Sequence, residues 1–171
     1  MAIDFSRLSL KDALDLAVLI EQEAEERYLE FADQMTAHHT PDAEKFFRFM
    51  AVNEEKHGSE LAVRRKHLFG DAPSSVSPTM ILDVEAPDYD QARAFMSPRA
   101  ALVTALRSEE KAYAYFDRAL PSITNADVRA LFEELRGDEI HHIELVKAEL
   151  AKPPPGEEPD PEDFVDEPTA Q

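Results

Sequence analysis

Two segments of the chain read Glu-x-x-His: Glu54-Glu-Lys-His57 and Glu139-Ile-His-His142. On a helix, residues three apart lie over the same face, so each segment presents a carboxylate oxygen beside an imidazole nitrogen. A further glutamate precedes each pair, Glu21 before Glu54 and Glu109 before Glu139, at spacings of 33 and 30 residues. Written over one another, Glu21-Gln-Glu-Ala-Glu-Glu-Arg-Tyr28 falls on Glu109-Glu-Lys-Ala-Tyr-Ala-Tyr-Phe116. Met50-Ala-Val-Asn-Glu54-Glu-Lys-His57 falls likewise on Leu135-Arg-Gly-Asp-Glu139-Ile-His-His142, so one arrangement occurs twice. Mixed oxygen and nitrogen donors of this kind suit iron first and manganese second, whereas a structural zinc more often recruits cysteine. Four carboxylates would balance the charge of two dications.

Helical phase decides which acids belong to a buried face. Glu21 sits among Val18, Ala24 and Tyr28, and Glu54 among Phe47, Met50, Ala51 and Leu61. Glu109 shares its phase with Leu102, Leu106, Ala112, Tyr113 and Phe116, and Glu139 with Phe132, Leu135, Ile143 and Val146. All four are expected to point inward. An ionised carboxylate in an apolar interior costs several kcal/mol, so four without compensating cations are hard to reconcile with a domain stable by about 5–15 kcal/mol. Bound metal resolves the conflict.

The elements that would carry these residues are long helices. Ser9, with Asp12 three residues on, marks the start of a first helix that runs toward Ala37. Its apolar stripe is Leu14, Ala17, Val18, Ala24, Tyr28, Phe31, Ala32 and Met35. Thr40-Pro41 opens a second helix that Gly70 stops, and Ser97-Pro98 opens a third that ends near Leu120-Pro121. A fourth runs from about Asn125 to Ala151, where Lys152 and three prolines end it. Short connections make helices one and two, and three and four, antiparallel hairpins, while about 27 residues separate helix two from helix three. The expected fold is therefore all-α, an antiparallel four-helix bundle with a long crossover. Within the crossover, Met80, Ile81, Leu82 and Val84 are expected against the bundle, and Tyr89 to Met96 as a short helix.

The 171 residues are 43% hydrophobic, enough for one core, and the bundle is assigned to residues 1–151. Residues 152–171 carry seven acids against Lys152 alone and 6 of the 12 prolines, which predicts a disordered or extended acidic tail. It solubilises the chain or serves as a docking peptide anchored by Phe164 and Val165. With no cysteine, disulfides, iron–sulfur clusters and cysteine nucleophiles are excluded. A net charge of −18 argues against nucleic acid and anionic membranes as partners. No run approaches the ~20 apolar residues of a membrane span and the start lacks the pattern of a signal peptide, so a cytoplasmic protein is expected. A homodimer is the default assembly.

The repeat of Glu and Glu-x-x-His resembles the ferritin-like superfamily, specifically its rubrerythrin-like diiron carboxylate branch, over about residues 10 to 151. The resemblance implies a ferritin-like bundle with a carboxylate-bridged pair of Fe ions, Mn being the second choice. Its ligands would be Glu21, Glu54, His57, Glu109, Glu139 and His142, with Glu54 and Glu139 bridging. It further implies reaction with dioxygen or hydrogen peroxide, of ferroxidase or peroxidase type, in iron handling or oxidative-stress defence, with electrons from a donor the sequence does not identify. The chain departs from strict rubrerythrins in having no Cys-ligated iron module and in Ala112, where those proteins tend to carry an extra glutamate. The two-His, four-Glu set looks closer to bacterioferritin, but Glu55 stands where that family presents a heme-binding Met, so no heme is expected.

Tyr28 is the candidate catalytic side chain, because it shares the stripe of Glu21 and could hydrogen-bond a ligand carboxylate across the site. Its repeat partner Phe116 cannot. Tyr113 and Tyr115 read as packing residues, and Glu23, Glu25 and Glu26 as a solvated face. His141 lies about 200° around the helix from Glu139 and is set aside, as are His38, His39 and His67 near helix ends. An oxidase acting on an organic substrate has no pocket signature here. A non-enzymatic metal carrier or regulatory module presenting the tail is the alternative reading.

Overall fold

A computed structural model of the chain describes residues 3–37, 39–81 and 97–152. Among these are four long helices and no strand: α1 (Leu10–Ala37), α2 (Pro41–Phe69), α3 (Pro98–Ala119) and α4 (Ala126–Leu150). The chain ends each helix by local chemistry. Ser9 Oγ accepts from Asp12 N–H at 3.1 Å and donates to its carboxylate, which fixes the first turn of α1. Pro41 and Pro98 stand at first-turn positions, where a missing N–H loses nothing. Ser97 accepts from Ala100 N–H, and Asn125 Oδ1 accepts from both Asp127 and Val128 N–H. Gly70 closes α2 at φ +57°, a left-handed conformation that favours glycine, and donates to Lys66 O. A turn of 3₁₀ helix at Leu120–Ser122 follows α3.

Ion pairs fix the helix directions. Arg48 meets Asp33 and Arg65 meets Asp15, so α1 and α2 are antiparallel. Arg136 with Asp117 and Lys147 with Glu110 make α3 and α4 antiparallel. Arg64 with Glu134, and Glu54 with His142, do the same for α2 and α4. It follows that α2 and α3 run parallel. Ile81 is buried against the bundle and Met80 half-buried. Leu82, Val84, the expected helix at Tyr89–Met96, His38 and the tail beyond Lys152 lie outside the described residues.

The core has two parts. One contains Leu14, Leu16, Ile20, Leu61, Phe116, Ile123, Leu131 and Phe132, and the other Phe31, Met35, Phe47, Met50, Ala101 and Val146. On every helix the glutamate singled out above falls between the residues given to one part and those given to the other. The four acids thus form a polar layer across the middle of the bundle. The buried stripe of α1 is broader than its sequence reading: Ala13, Leu16 and Ile20 are also buried, while Val18 is half-exposed. The difference arises because α1 packs against more than one neighbour, so its apolar face exceeds one narrow stripe.

Candidate metal centre

Each of the four helices contributes one carboxylate to the middle layer. Glu21 of α1, Glu54 of α2, Glu109 of α3 and Glu139 of α4 are all at most 5% exposed. His142, one turn beyond Glu139, is as deeply buried. His57 differs: its side chain keeps 24% of its exposure, so one of the six residues reaches solvent.

Two sets of three donors converge. Glu54, His57 and His142 form one, Glu109, Glu139 and His142 the other, and within each the donor atoms lie within 4.8 Å of one another. His142 belongs to both, its Nδ1 3.2 Å from Glu54 Oε1 and 3.4 Å from Glu109 Oε2. Glu21 stands at the margin, with Oε2 3.9 Å from His57 Nδ1. The sequence repeat pairs each histidine with the acids of its own hairpin. In the bundle His142 instead bridges the hairpins, because α2 and α4 face each other and stack the two imidazoles at 5.4 Å between centroids.

Tyr28, buried on α1, donates its O–H to Glu109 Oε1 across the bundle, the contact its position predicts. Tyr113 is half-exposed, and Tyr115 packs edge-on against Phe5 and Phe116, as a core boundary residue does. His141, His39 and His67 are exposed, and Glu55 faces outward. Of the acidic run on α1, Glu26 is exposed but Glu23 and Glu25 are half-buried, and burial raises the Glu23 carboxyl pKa against the neighbouring Arg27.

The electrostatics show how poorly this layer is compensated by protein alone. Burial pushes the Glu21 carboxyl up to about 7, contact with Glu54 and the charge of His142 working the other way. Burial acts on Glu109 in the same sense but is outweighed by His142, Glu139 and Tyr28, which hold it below the usual carboxylate range. Burial lowers the His142 pKa, yet contact with Glu109 and the charges of Glu109, Glu21 and Asp138 raise it overall. His57 is lowered by burial despite the opposing charge of Asp138. His57 Nδ1 and His142 Nε2, both buried nitrogens, have no hydrogen-bond partner among the described residues. A histidine nitrogen left open beside clustered carboxylates is the donor set a divalent cation completes, so these residues fit a carboxylate and histidine metal centre.

Asp138 has ligand spacing to His141 and is set aside with it on sequence grounds. It is half-buried, its electrostatic neighbours include both His57 and His142, and with His57, Glu60, Arg64 and Glu134 it lines a cleft of about 90 Å³ between α2 and α4. Its own helix sets it three residues before His141 and four before His142. The approach of α2, which brings His57 near, has no signature in local spacing.

Fold and site together define a ferritin-like helical bundle with a Glu/His centre in its middle layer. The rubrerythrin family matches residues 12–150, and the chain belongs to that family. It is also similar to an uncharacterized conserved protein from Magnetospirillum magnetotacticum MS-1, known from a 2.00 Å crystal structure. The two are 28% identical with a TM-score of 0.70, over 86% of this chain and 97% of that one. No curated protein matches. No helix among the described residues is long and apolar enough to cross a membrane.

Proposed function

We propose that the bundle holds two iron ions and uses them to reduce hydrogen peroxide or dioxygen. The observation that carries this reading is the pair of three-donor sets that share His142 in a buried layer. Glu54 and His57 would hold one ion, Glu109 and Glu139 the other, with His142 and Glu21 completing the set. A diferrous pair, when bound, supplies two electrons, enough to reduce hydrogen peroxide and two protons to two waters, or dioxygen to peroxide.

The chain's own contribution is orientation and exclusion of water. Tyr28 O–H holds Glu109 Oε1, which fixes the direction in which the other carboxylate oxygen points. The apolar clusters on either side seal the layer, leaving His57 as the ligand nearest solvent. Manganese would suit the same donors. Rereduction calls on an external donor, because the chain has no cysteine with which to hold a second redox iron. A cytoplasmic setting in iron handling or peroxide defence fits this chemistry.

The test is stopped-flow mixing of anaerobically Fe(II)-loaded protein with hydrogen peroxide or oxygen. Oxidation much faster than that of free Fe(II), with two irons oxidised per chain, is the expected result. Tight binding without accelerated oxidation would instead identify a metal carrier.

A further inference from the structure

We propose that Gly58 is a positioning residue: by bearing no side chain, it lets α1 approach α2 closely enough for Glu21 to reach the metal centre. The inference rests on the two-ion reading above. Gly58 follows His57 directly and lies buried inside α2, where glycine is the least favourable residue after proline. Its backbone does not need glycine, since Gly70 is the glycine with positive φ among the described residues. What it needs is space. A Cβ at position 58 would stand 3.3 Å from Glu21 Cβ, tighter than an ordinary van der Waals contact. Gly137, also inside a helix and two residues before Glu139, would bring its Cβ within 4 Å of nothing.

The close approach falls at Glu21, the candidate donor that belongs to neither three-residue set. Its carboxylate already stands 3.9 Å from His57 Nδ1, so its reach depends on where the α1 backbone lies. An alanine methyl would move that backbone by a few tenths of an ångström. Metal–ligand distances tolerate about 0.2 Å, and a close-packed core leaves the side chain little room to compensate.

The experiment compares Gly58→Ala with Gly137→Ala, the same substitution in the same kind of helix. The full chain is stripped of metal and titrated anaerobically with Fe(II) by calorimetry, and the metal-free proteins are melted by circular dichroism. Wild type and Gly137→Ala are expected to bind two ions with equal affinity. Gly58→Ala is expected to bind one ion at least tenfold more weakly, with a metal-free melting temperature equal to or above that of wild type. In a Glu21→Gln background the Gly58→Ala change should alter affinity less than twofold. Wild-type affinity for both ions in Gly58→Ala would overturn the proposal. So would a lowered metal-free melting temperature, which would make Gly58 a general packing residue, or an undiminished effect in the Glu21→Gln background. A wild-type protein that takes up no iron would overturn the two-ion reading and this proposal together; two ions in both wild type and Gly58→Ala at equal affinity would overturn this proposal alone.

Discussion

The imidazoles of His57 and His142 lie nearly parallel, with planes inclined by 13° and centroids 5.4 Å apart. Each follows its glutamate by three residues, and because α2 and α4 are antiparallel the two Glu-x-x-His units meet head to head at mid-bundle. Two protonated rings at that separation would repel, and their surroundings divide the roles: burial lowers His57, while contact with Glu109 and the nearby acids outweighs burial and raises His142 above its ordinary pKa. A dication placed among these groups would compete with a proton for the His142 ring.

Metal binding should therefore depend on Glu54 and Glu139 and be indifferent to His141. Glu54→Ala removes a donor adjacent to His142, and Glu139→Ala one of the three in the second set. Either should lower the iron bound after anaerobic reconstitution from about two ions per chain to about one or fewer. His141 is exposed on the outer face of α4, and His141→Ala should retain the full complement. Elemental analysis of the desalted proteins distinguishes these outcomes.

Tyr28→Phe removes the O–H that Glu109 accepts while keeping the ring stacked on Phe47. Loss of a hydrogen bond that orients a ligand costs about 10–100-fold in affinity or activity. The variant should still bind iron but oxidise it roughly tenfold or more slowly in stopped-flow. An unchanged rate would show that Glu109 is held by its other neighbours.

Much of this was legible in the chain. Ser9, Pro41, Gly70, Ser97 and Asn125 are strong local signals, and each helix begins or ends within a residue or two of them. Phase alone placed Glu21, Glu54, Glu109 and Glu139 inside, because a charged residue framed by Phe, Leu and Met at helical spacing has no outward face to occupy. Relations between helices were not legible. That His142 serves both hairpins, that Asp138 neighbours His57 and that Asp15 is buried against Arg65 all depend on which helix lies opposite, and nothing within one helix encodes that.

Glu21 gives the metal-free protein a definite pH dependence. Burial moves its carboxyl from an ordinary 4.5 to about 7. Between those values the folded chain holds a proton the unfolded chain has released, so this group's contribution falls as pH rises from 4.5 to 7 and levels off above. At the limit the loss is about 3 kcal/mol. In Glu21→Gln this loss is absent. Urea unfolding with chelator present should find the variant about 1–3 kcal/mol more stable than wild type at pH 8 and similar to it near pH 4.5. A difference independent of pH would mean that Glu21 does not titrate in this range.

The Asp15–Arg65 pair should govern stability without touching the metal centre. Arg65 Nε donates to Asp15 Oδ1 at 2.6 Å and Nη2 approaches Oδ2 at 3.4 Å, a two-pronged contact between the start of α1 and the end of α2. The same guanidinium donates to Gly70 O and Ala72 O, so it ties the chain leaving α2 back onto the bundle. Both side chains are largely buried, and removing one partner leaves the other charge poorly solvated. Lys11 Nζ, 3.2 Å from Asp15 Oδ2, supplies a second cation, which keeps Asp12 Oδ1 at 2.9 Å. Asp15→Ala should therefore cost more than the ~1 kcal/mol of an exposed ion pair in urea unfolding, and less than a fully enclosed pair because Lys11 reaches solvent. Iron stoichiometry should stay at the wild-type value, since Asp15 lies almost two turns of α1 before Glu21. A loss below about 1 kcal/mol would class the pair with ordinary surface ion pairs.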